Sequence, residues 1–307
     1  MRPPFAYHRP ATLEEACRLL AADPRATALA GGTDLMVHLR QPWRGKAPSA
    51  VVSLRRIPGL AGIEATDQAL RLGAGVTLSQ LIDHPVIQRE YPVLPFAARY
   101  MGSPAVRNLA TVGGNLCNAS PAADLPPVLL ALDTQVGIAT GRGERRLALS
   151  EFFRGPGQTA LGPGELLAWI AIPRIHAGSP AGSPAGWASG WPKGWMLRYE
   201  RLDVRRAMDI AIAAVALAVR RDGPRVLDAR LALCAVAPTP RRVPEAERAL
   251  VAGGLHAATV RRVAELAQAA AAPIGDVRAT AEYRHEMVGV LVRRGLEAIA
   301  AGEPVAA

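Results

Sequence analysis

The chain has 307 residues, half of them apolar and a fifth charged, which is enough for two domains with substantial cores. Its formal net charge of +10 comes almost wholly from arginine, since Lys46 and Lys193 are its two lysines. The arginines lie in scattered pairs such as Arg55-Arg56 and Arg241-Arg242, without the aromatic interleaving of a nucleic-acid surface; nucleic-acid binding is therefore set aside, and acidic partner subunits are a further use for the charge.

In chain order, Thr12 to Glu15 reads as a capping box opening a helix with Leu13, Ala16, Cys17 and Leu20 on one stripe. Residues 26–30 lead into a first double-glycine loop, and Asp34 to Arg40 has mixed character. Strands are expected at 51–54 and 70–76, a capped short helix from Thr77, and a helix over 95–100. A second double-glycine loop follows. Pro126-Pro127 then opens an apolar helix to Leu132, and 135–140 resembles a strand. Helices and strands alternate through this half, which makes it α/β or α+β. Residues 178–195 repeat Gly-Ser-Pro-Ala and carry Trp187, Trp191 and Trp195, so they read as a loop that either anchors a partner or folds back on its own surface. Runs 209–219 and 226–236 suggest a hairpin separated by 220–225. Three helices are expected at 244–251, 257–271 and 280–301, the last packing through Tyr283, Met287, Val290, Leu291 and Leu296.

Cys17, Cys117 and Cys234 are dispersed and odd in number, which fits a reducing, cytoplasmic setting and leaves no self-contained cysteine-ligated cluster. The first ten residues do not form a signal peptide, and no apolar stretch reaches the ~20 residues of a membrane span. His285-Glu286 lacks the second histidine of a zinc-protease helix, position 289 being Gly. Nucleophile-elbow, Walker and Rossmann patterns are absent. No metal site is expected.

What remains are the loops Ala30-Gly31-Gly32-Thr33-Asp34 and Thr111-Val112-Gly113-Gly114-Asn115. Adjacent glycines let a backbone approach a ligand with its amides outward, and two such bends suit the two phosphates of one dinucleotide. The stretch from Arg107 to Asp124 resembles the FAD-binding medium subunit of the molybdenum hydroxylases, the family of xanthine dehydrogenase, aerobic carbon monoxide dehydrogenase and 4-hydroxybenzoyl-CoA reductase. The resemblance extends to 29–35, to Phe152-Phe153 through Pro173, to Arg205-Arg206-Ala207-Met208-Asp209-Ile210-Ala211 and to 235–240.

The resemblance implies an α+β chain: a vanillyl-alcohol-oxidase (PCMH) type FAD-binding domain of two α/β subdomains (1–57 and 58–177), then a C-terminal domain (196–307) with an antiparallel sheet and helices. It implies that Ala28, Leu29, Ala30, Gly31, Gly32, Thr33, Asp34 and Leu35, with Thr111, Val112, Gly113, Gly114 and Asn115, hold the FAD diphosphate through backbone N–H groups. A bulky side chain at Gly32 or Gly113 would then push the phosphates away. Asp124 is implied to accept from ribityl or ribose hydroxyls; helix capping is its other reading. Met101 and Leu161 are implied to lie near the isoalloxazine ring. Arg201 stands where the family often has Lys, keeping the charge with a wider, planar fork. Whether Tyr199 and Arg198 come near stays open. The implied partners are a large molybdopterin subunit and a small subunit with two [2Fe-2S] clusters, in a dimer of heterotrimers. No side chain here is then needed as base or nucleophile. Three dispersed cysteines argue against the extra four-cysteine cluster of reductive members. The alternatives are a stand-alone FAD-dependent oxidase or reductase of the same fold, with Cys117 two residues beyond the second loop, and an interaction protein without cofactor.

Overall fold

The computed structural model describes residues 5–40, 47–174, 195–205 and 208–303. Trp187 and Trp191, with Arg206-Ala207 of the arginine-rich motif, lie outside the described residues. The first unit consists of β1 (Ala6–His8), α1 (Leu13–Ala22), β2 (Ala26–Leu29), α2 (Leu35–Arg40) and β3 (Ala50–Ser53). Its sheet has the order β1-β3-β2, with β3 central, parallel to both neighbours and buried at every residue. Thr12 caps α1 by accepting from the Glu15 amide, while the Glu15 carboxylate accepts from the Ala11 amide at 2.9 Å.

The second unit runs β4 (Ile63–Ala65), β5 (Ala69–Gly73), α3 (Leu78–Asp83), α4 (Pro85–Glu90), α5 (Val93–Arg99), α6 (Pro104–Arg107), α7 (Val112–Asn118), α8 (Leu125–Ala131), β6 (Gln135–Thr140), β7 (Gly143–Ala148), β8 (Phe153–Gly155), β9 (Gln158–Thr159) and β10 (Leu166–Pro173). Its antiparallel sheet has the order β4-β5-β10-β6-β7, and β8 pairs with β9. Helix α8 is apolar on all sides and buried at every residue, as a helix without a polar face must be. It touches α5 and α7 of its own unit and β12, β13 and β14 of the next, so each fully buried leucine in it contributes about 2 kcal/mol to a shared core.

That next unit is an antiparallel sheet of β11 (Trp195–Leu202), β12 (Ala213–Asp222), β13 (Arg225–Cys234) and β14 (Arg241–Arg242), backed by α9 (Pro244–Gly253), α10 (Ala257–Ala270) and α11 (Ala281–Ala301). Strand alternation divides β12 between two cores: Ala214, Ala216 and Ala218 join the core of the first two units, while Ala213, Val215, Leu217 and Val219 face the helices.

Four sequence expectations change. The second glycine pair is not a loop but the first turn of α7, with Thr111 as its cap. The hairpin is tighter than its charges suggest: Arg220 to Asp222 continue β12, and the turn is Gly223-Pro224, with Gly223 at φ +57°. Trp195 is buried as the first residue of β11, its ring facing the Arg230 guanidinium, so it is not a loop anchor. Tyr283 is half-exposed, because the buried face of α11 runs through Arg284, Val288, Leu291, Val292, Leu296 and Ile299.

Candidate functional site

After β2 the chain bends through Ala30 to Asp34 before α2. Gly32 sits at φ +78°, a left-handed conformation that glycine adopts without strain. Arg55 fastens the bend by donating to the carbonyls of Ala30 (3.3 Å) and Gly31 (3.2 Å). A Cβ on Gly31 would lie 2.1 Å from the Leu109 carbonyl oxygen and 3.0 Å from the Ala110 Cα. The first bend is therefore pressed, backbone on backbone, against the segment that leads directly into Thr111. The two glycine bends meet in space.

They do not offer the same chemistry. Among the described residues the amides of Gly31, Gly32, Thr33 and Asp34 donate no hydrogen bond, which leaves four consecutive N–H groups available to an anion. In the second bend the amides of Val112 and Gly113 donate to the carbonyls of Val76 and Ala74, each at 2.9 Å. The Gly114 amide donates to Thr111 Oγ1 and the Asn115 amide to the Thr111 carbonyl. The amides of Val112, Gly113, Gly114 and Asn115 thus already have acceptors within the protein, unlike those of the first bend. Gly113 is small for the same reason, since a Cβ there would lie 2.5 Å from that of Ala74. What the second bend does present is Asn115 Oδ1, a buried acceptor with no partner. The free amides of the first bend suit an anion such as a diphosphate, and a buried acceptor without a partner calls for a donor.

Asn115 lies within α7, and Asp124 follows the turn after it, just before α8. Asp124 is 6 % exposed and makes no side-chain cap bond to α8, so the capping reading fails. Its Oδ1 accepts from Tyr199 Oη at 2.6 Å and from Arg201 Nε at 2.8 Å. Arg201 also donates to Asp203 and, at 2.5 Å, to the Asp209 carbonyl, and its guanidinium lies 4.8 Å from the centre of the Tyr100 ring. Tyr100 in turn packs edge-on against Tyr199, with centroids 6.4 Å apart. Alternation along β11 puts Leu197 and Tyr199 into the core shared with α8. Arg198, next along the strand, pairs with Glu200 (2.9 Å).

Burial raises the Asp124 carboxyl above its usual range, while Arg201 and Tyr199 pull it back. Burial, then the Asp124 charge, holds Tyr199 protonated far above the usual tyrosine range. Burial pushes the Cys117 thiol to about 12, so it is no thiolate near neutral pH and a poor flavin tether.

Met101 directly follows Tyr100, half-buried, its carbonyl accepting from Arg107 at 3.2 Å. Leu161 follows β9, half-buried in the same core, and β9 packs on α7. Sequence reasoning missed Arg55, Tyr100, Asp203 and the tethering carbonyl of Asp209. Period-two reading of 195–202 would have placed Tyr199 and Arg201 on one face; nothing in the sequence marks Arg55.

Residues 3–175 match the family model described as the FAD binding domain in molybdopterin dehydrogenase, and residues 199–299 match that of the CO dehydrogenase flavoprotein C-terminal domain. The chain belongs to this family of FAD-carrying oxidoreductase subunits. It is 33% identical over 301 residues to the xanthine dehydrogenase FAD-binding subunit of Escherichia coli O157:H7, covering 96% of each. To the carbon monoxide dehydrogenase medium chain of Afipia carboxidovorans it is 32% identical over 294 residues, covering 95% of this chain and 96% of that one. The fold superposes on a chain of the carbon monoxide dehydrogenase from Hydrogenophaga pseudoflava with a TM-score of 0.88 at 31% identity, covering 98% of this chain and 99% of that one.

Proposed function

We propose that the chain is the electron-transfer flavoprotein of a molybdenum-containing hydroxylase or dehydrogenase, taking electrons from [2Fe-2S] clusters on a small partner and passing them to an external acceptor. A large partner carries the molybdopterin, in a dimer of heterotrimers in the cytoplasm. Relatives named as medium chains and FAD-binding subunits support this reading, as do three free cysteines. No described helix is long and apolar enough to cross a membrane.

The observation that carries the reading is the backbone contact of Gly31 with Leu109-Ala110, which packs the bend bearing four free amides against the segment that leads into α7. The amides of Gly31 to Asp34 bind the diphosphate, with Ala28, Leu29, Ala30 and Leu35 shaping the bend. Thr111 to Gly114 form the scaffold that aims Asn115. Asp124 takes a ribityl or ribose hydroxyl, Met101 and Leu161 flank the ring, and Arg201 supplies positive charge. Bound FAD accepts electrons singly and delivers them in pairs; the protein contributes position and electrostatics. The test is coexpression with candidate partners, followed by flavin, iron and molybdenum analysis of what copurifies. One FAD per chain in a complex holding both metals supports the proposal. An active lone chain, or one that takes up no FAD, refutes it.

A further inference from the structure

Asp124 belongs to the FAD-binding domain, yet what holds it comes from the C-terminal one. Tyr199 Oη and Arg201 Nε, 75 and 77 residues further along the chain, both donate to the same oxygen, Oδ1. The other oxygen, Oδ2, accepts no hydrogen bond among the described residues. A carboxylate with one oxygen doubly held and the other open is fixed in rotation and aimed. The register explains how Tyr199 reaches it. Tyr199 pairs with Ala216, which pairs with Ala232, so its cross-strand neighbours in the sheet are small.

We propose that Tyr199 is a positioning residue of the flavin site: from the C-terminal sheet it orients the Asp124 carboxylate, so that the second domain sets the affinity of the first for FAD. This rests on the reading of Asp124 as the acceptor for a ribityl or ribose hydroxyl. Tyr199 itself does not touch the cofactor; it acts through Asp124. It also defends the charge on that carboxylate. The groups that face Asp124 are Arg201 and Tyr199 on β11, Asp203 just beyond, Cys234 at the end of β13 and Tyr100 after α5. Burial and Asp203 favour protonation, whereas Tyr199 and Arg201 oppose it. Without the phenol, protonation of Asp124 begins at a higher pH, and a protonated carboxyl is a weaker acceptor.

The experiment is fluorescence titration of FAD into deflavinated full-length chain, from about pH 8 down to about pH 4, a range chosen to span a raised carboxylate. Tyr199→Phe is expected to weaken FAD binding about tenfold at the upper end, the effect of one hydrogen bond to a charged group. It should also move the pH at which affinity is lost upward. Asp124→Asn should weaken binding and flatten that dependence. The double variant should bind no worse than Asp124→Asn alone, because a residue acting through Asp124 has nothing left to position. Losses that add, or a Tyr199→Phe pH profile that follows the wild type, overturn the proposal. If Asp124→Asn binds FAD normally, the reading of Asp124 falls and takes the proposal with it. If Asp124→Asn is weak but Tyr199→Phe is normal, the proposal falls alone. Should Tyr199→Phe not fold, Arg201→Lys tests the same relay: it keeps a charge, lacks Nε–H, and belongs in the same non-additive cycle.

Discussion

Gly31 and Gly113 look equivalent in sequence and are opposites in space. A methyl on Gly31 meets the Leu109 carbonyl, so Gly31→Ala must push the first bend off the second. Two backbone segments cannot yield as a side chain would, and we expect a loss of about 1–3 kcal/mol with at least about tenfold weaker FAD binding. Gly113→Ala instead drives a methyl into Ala74, wedging α7 away from the end of β5. It should cost a similar ~1–3 kcal/mol, but FAD affinity of the folded protein should change less than in Gly31→Ala. Thermal unfolding alongside FAD titration separates the two. Equal FAD losses at equal destabilisation would mean that the bends play the same part. The sequence marked both glycine pairs but not the packing contact that demands a small residue at Gly113. Its neighbour Ala74 lies 39 positions earlier, and no local pattern announces that contact.

Local signals were the legible ones. The cap signals at Thr12 and Thr77 lie within four residues, and both helices start where those signals put them; Thr77 and Gln80 close a full capping box, whereas Glu15 takes the Ala11 amide instead of that of Thr12. Strand β6 spans 135–140 as its apolar pattern predicts. The face of α11 was misjudged because its first turn serves a polar purpose. Buried Arg284 donates to the carbonyls of Ile212 (2.7 Å) and Ala235 (3.2 Å) and to the Asp276 carboxylate (2.7 Å). Asp276 also accepts from the amide and side chain of Arg278, and these bonds, the amide's first, lower its carboxyl from 3.8 to about 2. A depressed carboxyl stabilises the fold above its unfolded value, and that contribution fades as pH falls toward the folded one. Asp276→Asn should therefore cost about 2 kcal/mol at neutral pH, the scale of a hydrogen bond to a charged group. Its deficit against wild type should shrink below about pH 4 and vanish near about pH 2. Urea midpoints of both proteins at successive pH values measure this. A deficit independent of pH would assign the loss to packing instead.

The two domains are joined by a sheet whose two faces have different sizes. Toward α8, β12 presents only Ala214, Ala216 and Ala218; toward α9 to α11 it presents Val215, Leu217 and Val219. Asp133, just after α8, adds ion pairs to Arg230 (2.6 Å) and Arg242 (2.5 Å), but its side chain is 43% exposed and such pairs contribute about 0–1 kcal/mol each. Close apolar approach therefore decides how the domains sit, and with it whether Tyr199 reaches Asp124. Ala216→Leu puts extra methyl groups beside Tyr199 and against α8, where overpacking costs about 1–3 kcal/mol. Because it displaces the strand that aims Asp124, FAD affinity should fall with it. Leu217→Ala, one residue along, opens a cavity under α11 and costs more, about 2–5 kcal/mol, yet leaves the domain-facing side as it was. The more damaging variant for stability should thus be the milder one for FAD binding per folded molecule. Titrating both at a temperature where each is folded tests that inversion. FAD losses that simply track the drop in unfolding midpoint would show that the faces of this sheet do not divide stability from cofactor binding.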